Sequence, residues 1–327
     1  MATHHRRSAS TILWIATTLL VILLLTRTLI SAGVGGAVLL LVQTVLLTVF
    51  TLLHGSRRCG WRAILVYYAV TLLVSNILEN VSVLSGFPFG NYHYTTGPQL
   101  FRVPLAIGPF YAAVGYQAWM IATLLVGEVR RGSGWLTAIG TPVVGSFAMV
   151  AWDLAMDPTR ATIQKFWIWE DSGGFFGVPL VNFIGWSLTT YLFLQDFALY
   201  LRYEGPEPAT LPEPTIASHV QPLLLYAATA GTFVMDFLTG ERTTVTDALG
   251  QTWRTGDIYE TSVLTTIYGM GFITVLAALS LARRSAAAPA SPTDAAVTPA
   301  QRAPQAASRP DGIPPTPSTY PPVARGS

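Results

Sequence analysis

The sequence predicts an all-α fold, a polytopic membrane bundle of about eight transmembrane helices with both termini cytoplasmic. Three observations predict it. Hydrophobic residues make up 51% of the chain and charged residues only 11%, against about 25% charged in an ordinary soluble domain. Apolar runs of about the 20 residues needed to cross a bilayer recur from end to end. Arginines gather in alternate connections, the asymmetry that orients membrane helices. The same composition narrows function. A net charge of +2 spread over short loops offers no nucleic-acid face, and one cysteine, Cys59, cannot supply a disulfide framework or a multi-cysteine metal site.

The first apolar run, about 11–30, follows a short basic segment, 1–10. It shows no small-residue cleavage site, so it reads as a retained first helix behind a cytoplasmic N-terminus. Further runs fall at about 34–53, 62–84, 104–126, 135–156, 177–201, 218–239 and 261–282. Gly33, Gly35 and Gly36 leave only a tight turn before the second run, and Pro104 and Pro179 stand where the fourth and sixth begin, a position that tolerates proline. Arg6, Arg7, Arg57, Arg58, Arg62, Arg130, Arg131, Arg202, Arg283 and Arg284 fall on one side of this arrangement. Arg102, Arg160, Lys165, Arg242 and Arg254 fall on the other. The first set is expected in the cytoplasm, which puts three long loops (85–103, 157–176 and 240–260) together on the opposite face. The bundle is expected to span 11–284. Residues 285–327, rich in Ala, Pro, Ser and Thr with ten of the 22 prolines, read as a disordered cytoplasmic tail.

Four acidic residues stand near the outer helix ends, where a carboxyl is costly unless it is used. In the third run Ser75, Glu79 and Ser82 share a face, with Asn76 and Asn80 beside it; such an acid serves either a substrate or helix packing. In the fifth, AWDLAMDPTR sets Asp153 and Asp157 four residues apart on one face. Two carboxyls that close can divide their affinity for protons, which is how a general acid is made. Pro158 is expected to end the helix at Asp157, so Asp157 also suits a helix-end turn, and Asp153, deeper and beside Trp152, is the stronger candidate. In the seventh, Thr229, Thr232 and Asp236 repeat the pattern.

Aromatic residues surround these acids. Tyr92, His93 and Tyr94 follow the third run in FPFGNYHYTTG, and Trp167, Trp169, Phe175 and Phe176 lie in KFWIWEDSGGFFGVP. Asn182 shares a face with Gly185 and Thr189, with Trp186 alongside. Rings at this level suit an interfacial belt; crowded around carboxyls, they also suit a cavity wall. His93 has no second His or Cys at metal-ligand spacing. Nucleotide-loop, zinc and serine-nucleophile motifs do not occur. Asp153-x3-Asp157 is too sparse for the aspartate runs that hold magnesium diphosphate in prenyl transferases.

GFPFGNYHYTTGPQL with VPLAIGPFYAAVGY, AWDLAMDPTR, and FWIWEDSGGFFGVPLVNFIGW together resemble the CruF-type carotenoid 1,2-hydratases, a family that includes bisanhydrobacterioruberin hydratases. The likeness runs over roughly 60–282, and the piece around Trp167–Trp186 is the most specific. IGPFYA departs from the pattern, which bears a tryptophan there. The resemblance implies a multi-pass cell-membrane hydro-lyase without cofactor or metal. It would add water to the terminal double bond of an acyclic carotenoid held in the bilayer (lycopene, γ-carotene or a C50 carotenoid), with other carotenoid-pathway membrane enzymes as candidate partners. On that reading Asp153, Asp157, Glu79 and Asp236 are the catalytic candidates. Trp152, Trp167, Trp169, Phe175, Phe176, Asn182, Trp186, Tyr92, Tyr94 and Asn80 are the substrate-binding ones. A proton-coupled transporter and an end-group cyclase or prenyltransferase are the competing expectations.

Overall fold

A computed structural model describes residues 2–30, 36–95 and 97–287. The expected tail beyond 287 and the turn at Gly33 and Gly35 lie outside the described residues.

Each predicted run carries a helix among the described residues, the fourth and sixth starting three residues later than predicted: α1 (Ala2–Ile30), α2 (Gly36–Ser85), α3 (Ile107–Leu125), α4 (Trp135–Asp157), α5 (Leu180–Glu204), α6 (Ile216–Thr239), α7 (Thr255–Thr265) and α8 (Phe272–Ala287). Among the described residues, four helices are long and apolar enough to cross a membrane: Leu41–Ser85, Trp135–Ile163, Ile216–Thr239 and Thr255–Ala286. The second and third predicted runs form one element, α2, interrupted at Gly60 by φ 81° and ψ 157°. The chain reverses there. The Tyr68 hydroxyl reaches the Thr48 carbonyl at 3.4 Å, whereas 20 residues of straight helix would separate them by about 30 Å. A left-handed residue without Cβ permits this turn, and the two arms (36–59 and 61–85) lie antiparallel.

α4 packs along α5, the second arm of α2 along α3, and α1 against α6. Tyrosine hydroxyls stitch the helices by reaching main chain across the interfaces: Tyr67 donates to the Ala112 carbonyl (2.8 Å) and Tyr226 to the Ala148 carbonyl (2.7 Å). Buried hydroxyls need such acceptors, because an unmet one costs about 1–3 kcal/mol.

Two departures from expectation shape the site. α4 ends at Asp157 as expected, but the chain does not leave the helical course at Pro158. Asp157 is helical (φ −60°, ψ −48°), and residues Pro158–Ile163 continue as a wide π-helical turn. Proline has no N–H to give the ordinary i−4 bond, and the wider turn accommodates it. The long loops also carry strands. β1 (Tyr92–Tyr94) pairs antiparallel with β4 (Trp167–Trp169), β2 (Gln99–Leu100) with β3 (Val103–Pro104), and β5 (Thr244–Thr246) with β6 (Thr252–Arg254). The three loops meet at one end of the bundle. Besides the β1–β4 ribbon, Ser172 donates to Asp247 at 2.7 Å and Lys165 to the Thr246 carbonyl at 2.7 Å.

The basic connections meet at the other end. Glu128 pairs with Arg58 and with Arg130, Arg131 with Glu207 (2.6 Å), and Arg284 donates to the Leu124 carbonyl (2.7 Å).

Candidate functional site

Strand alternation builds the site. Successive side chains point to opposite faces, so in β1 Tyr92 and Tyr94 share a face, and in β4 Trp167 and Trp169 do. The register joins them: Tyr92 opposes Trp169 and Tyr94 opposes Trp167. Both pairs turn toward the helices. His93 and Ile168 oppose each other on the other face, where exposed His93 meets exposed Glu170 at 2.9 Å. No three His, Cys, Asp or Glu among the described residues gather as a metal-holding group.

The two tyrosines serve one acid and the two tryptophans the other. Glu79, on the second arm of α2, accepts hydrogen bonds from Tyr92, from Tyr94 (2.9 Å) and, from α3, Tyr111 (2.7 Å). Burial first, then the adjacent Glu79 carboxyl, pushes the Tyr92 and Tyr94 hydroxyls well above the usual phenol range, so both keep the proton they donate. Asp157, at the end of α4, accepts from the indole N–H of Trp167 (2.9 Å) and, longer, of Trp169 (3.5 Å). The Asn182 amide, on α5, donates to Asp157 (2.6 Å) and to Asp153 (3.1 Å). The other Asp153 oxygen, Oδ1, is buried without a hydrogen-bond partner among the described residues. The hydrogen bonds to Glu79, Asp153 and Asp157 thus come from neutral phenols, indoles and an amide.

Glu79 and Asp157 open onto a cavity of about 760 Å³. Its walls near the acids are aromatic: Trp152, Trp167, Trp169, Trp186, Phe110 and Tyr111 line it, with Asn182, Arg160 and the α6 residues Thr229, Thr232 and Phe233. Tyr111 stacks flat on Trp186, with centroids 4.3 Å apart at 7°, a contact worth about 1 kcal/mol beyond its burial. Trp152 meets the edge of Trp186 at 5.7 Å. Gly185 lets the β1 loop close down on α5, since a Cβ there would lie 2.7 Å from the Pro88 carbonyl oxygen.

The remaining sequence candidates lie outside the cavity lining. Asp153 sits behind Asp157, joined to it through Asn182. Asp236 is buried on α6, where its carboxyl acts electrostatically on Arg160. Phe175 packs on Phe183 and Phe176 on Trp253, toward the β5–β6 hairpin. Asn80 donates to the Asn76 carbonyl and accepts from the Arg102 N–H (3.0 Å), which pins the loop after β2. Tyr111, Phe110 and Arg160 join the site without having been singled out. Tyr111 lies in IGPFYA, the segment that departs from the expected tryptophan-bearing pattern, and that departure is the signal that could have drawn attention to it.

The family model described as carotenoid biosynthesis protein matches residues 35–243. The chain belongs to this carotenoid biosynthesis family. No curated protein and no solved structure matches it significantly. The matched stretch carries both arms of α2, α3 to α6 and the β1–β4 ribbon, and with them every acid and every ring of the site. It is a membrane protein of that family, with Glu79, Asp157 and the rings around them on one cavity.

Proposed function

We propose that the protein is a carotenoid hydratase, adding water across the terminal 1,2 double bond of an acyclic carotenoid end group to give a tertiary 1-hydroxy carotenoid. The observation that carries the reading is the pairing of Asp157 and Glu79, each wired to neutral donors, at the aromatic end of an otherwise apolar cavity. Family membership supplies the substrate class.

Asp157 is the proton donor. Its O–H hydrogen passes to the less substituted alkene carbon, and the π pair forms the new C–H bond, leaving a tertiary cation. The faces of Trp152, Trp186 and Tyr111 stabilise that cation as it forms. A water oxygen then bonds to the cationic carbon, and Glu79 takes the proton that this oxygen sheds; a water chain returns it to Asp157. The balance is alkene plus water to alcohol, with no redox change. Asn182, held by Asp153, fixes the Asp157 carboxyl, and Tyr92, Tyr94 and Tyr111 hold Glu79. Asp236, with Arg160, supports the far wall. The eight apolar helical segments, counting the two α2 arms separately and α7–α8 as one, all cross the cell membrane, with both termini cytoplasmic and the site at the opposite face.

Expression in a host that accumulates lycopene, with products read by mass spectrometry, tests this. The expected product is heavier by one water per end and is lost in Asp157→Asn. Unchanged mass with a changed spectrum would point to cyclisation, an added carbon skeleton to prenylation, and unaltered carotenoid to a carrier.

A further inference from the structure

The cavity closes at the acids and opens at its far end. Glu79, Trp152 and Asn182 are at most 3% exposed. Val38, Leu41, Val45 and Val49, which line the same cavity from the first arm of α2, are 55%, 56%, 52% and 46% exposed. Their spacing puts them on one helical face. Across from them stand Leu105, 54% exposed, and Ile107 at the start of α3. Gln43, Thr44 and Thr48 also line the cavity from the first arm but are buried or half-buried. The acids are therefore the buried part of the lining, and its exposed rim is hydrocarbon apart from Gly97 and Pro98 of the loop after β1.

We propose that this apolar trough, between the first arm of α2 and the start of α3, is a side port to the bilayer that binds the polyene chain of a long acyclic carotenoid. A mouth facing water would be built the other way round. Apolar surface left in water costs about 25 cal/mol per Å², whereas facing lipid it costs nothing, and Leu41 and Val45 lie inside a stretch apolar enough to cross a membrane. The trough is continuous with the acid site, so a ligand entering from lipid arrives end group first. A carotenoid has the matching form, a rod comparable to the bilayer core of about 30 Å with its reactive alkene at the tip. The chain beyond the end group remains between the two helices and is gripped along its length. The trough rests on the hydratase reading only for the chemistry at its closed end.

The test uses the full chain in lipid nanodiscs with two probes, lycopene and a ten-carbon acyclic diene that reproduces its end group alone. Val45→Trp and Leu41→Trp plug the trough, and Val42→Trp, on the neighbouring face outside it, is the control. The expected result for both plugging variants is a rise in KM for lycopene of about tenfold or more, roughly 1.4 kcal/mol, with kcat/KM for the short diene and all values for Val42→Trp unchanged. Equal loss on both probes, or no loss on lycopene, overturns the proposal. Retention of lycopene on the nanodisc-bound protein, followed by its shifted absorption, is read alongside. If the unaltered protein hydrates neither probe, the hydratase reading fails while the trough stands or falls on binding: it stands if only the plugged variants lose lycopene, and falls if they keep it.

Discussion

The two ends of the bundle treat their acids in opposite ways. At the basic end Glu128 lies between Arg58 and Arg130, with His219 at 3.8 Å. Burial pushes its carboxyl up, but the guanidiniums, Arg58 foremost, outweigh that and hold it below the usual carboxylate range. At the loop end Glu79, Asp153 and Asp157 take hydrogen bonds from tyrosine, tryptophan and asparagine. A cation partner satisfies a carboxyl fully and makes it inert, which suits a joint between helices. Neutral donors fix its position while leaving its charge to be settled by the next proton, which suits chemistry. Residue type alone does not separate the two acids; their partners do.

Substitutions should separate stability from activity along the same line. Asp157→Asn keeps the shape and the oxygen that accepts from Trp167 and Trp169 but gives up the acceptor facing Asn182 and removes the proton, so product formation should fall by at least about 100-fold while stability in detergent falls by no more than about 1–2 kcal/mol. A comparable loss of folding would make Asp157 a structural acid like Glu128. Glu79→Gln should also leave the fold intact and lower turnover by about 10-fold to 100-fold, diverting the cation to isomerised alkenes that mass and absorption resolve from the alcohol. At the other end Glu128→Ala should leave the product pattern unchanged yet destabilise the protein by about 2 kcal/mol, below the range for fully buried pairs because the site is partly exposed. Among the ribbon donors, Trp167→Phe should slow turnover more than Trp169→Phe, by about threefold, in keeping with their 2.9 and 3.5 Å bonds to Asp157.

The smallest effect concerns the hairpin that ties the loops together. Burial pushes the Asp247 carboxyl up, but Ser172, Trp253 and the Gln251 and Leu249 N–H groups outweigh it and hold it below the usual carboxylate range. Because the folded value is depressed, its contribution is complete above the ordinary carboxylate range and disappears as pH falls through the folded value. Hydrogen exchange at 244–254 should therefore accelerate only under acid, and Asp247→Asn should show that acceleration already at neutral pH.

The acids themselves were legible in the sequence, because a carboxyl within an apolar run is expensive enough to stand out. Asp153, Asp157, Asn182 and Trp152 were all readable from helical spacing and do come together. What the spacing could not give was the order of depth. Asp153 looked the better placed because Pro158 gives Asp157 the structural excuse of a helix end; α4 does end there, yet Asp157 lines the cavity and Asp153 stands behind it, joined through Asn182. The β1–β4 ribbon was illegible for another reason. Three residues of alternation are too few to announce a strand, and its partner lies some 75 residues away, so nothing local distinguishes Tyr92 and Tyr94 from a membrane-interface belt. Tyr111 was hidden as one more ring in an apolar helix.

By itself, then, the sequence determined a membrane-embedded helical protein, the helix positions, the reversal near Gly60 as a break between two apolar runs, and a cluster of acids at one end. These follow from hydrophobicity, periodicity and the cost of burying charge, which are properties of short stretches. Only the tertiary structure decided which donors meet which acid, which carboxyls face the cavity, and where the cavity opens. Those depend on contacts between residues far apart in the chain, such as Tyr94 against Glu79 and Asn182 between two aspartates, and no local pattern encodes a distance across helices.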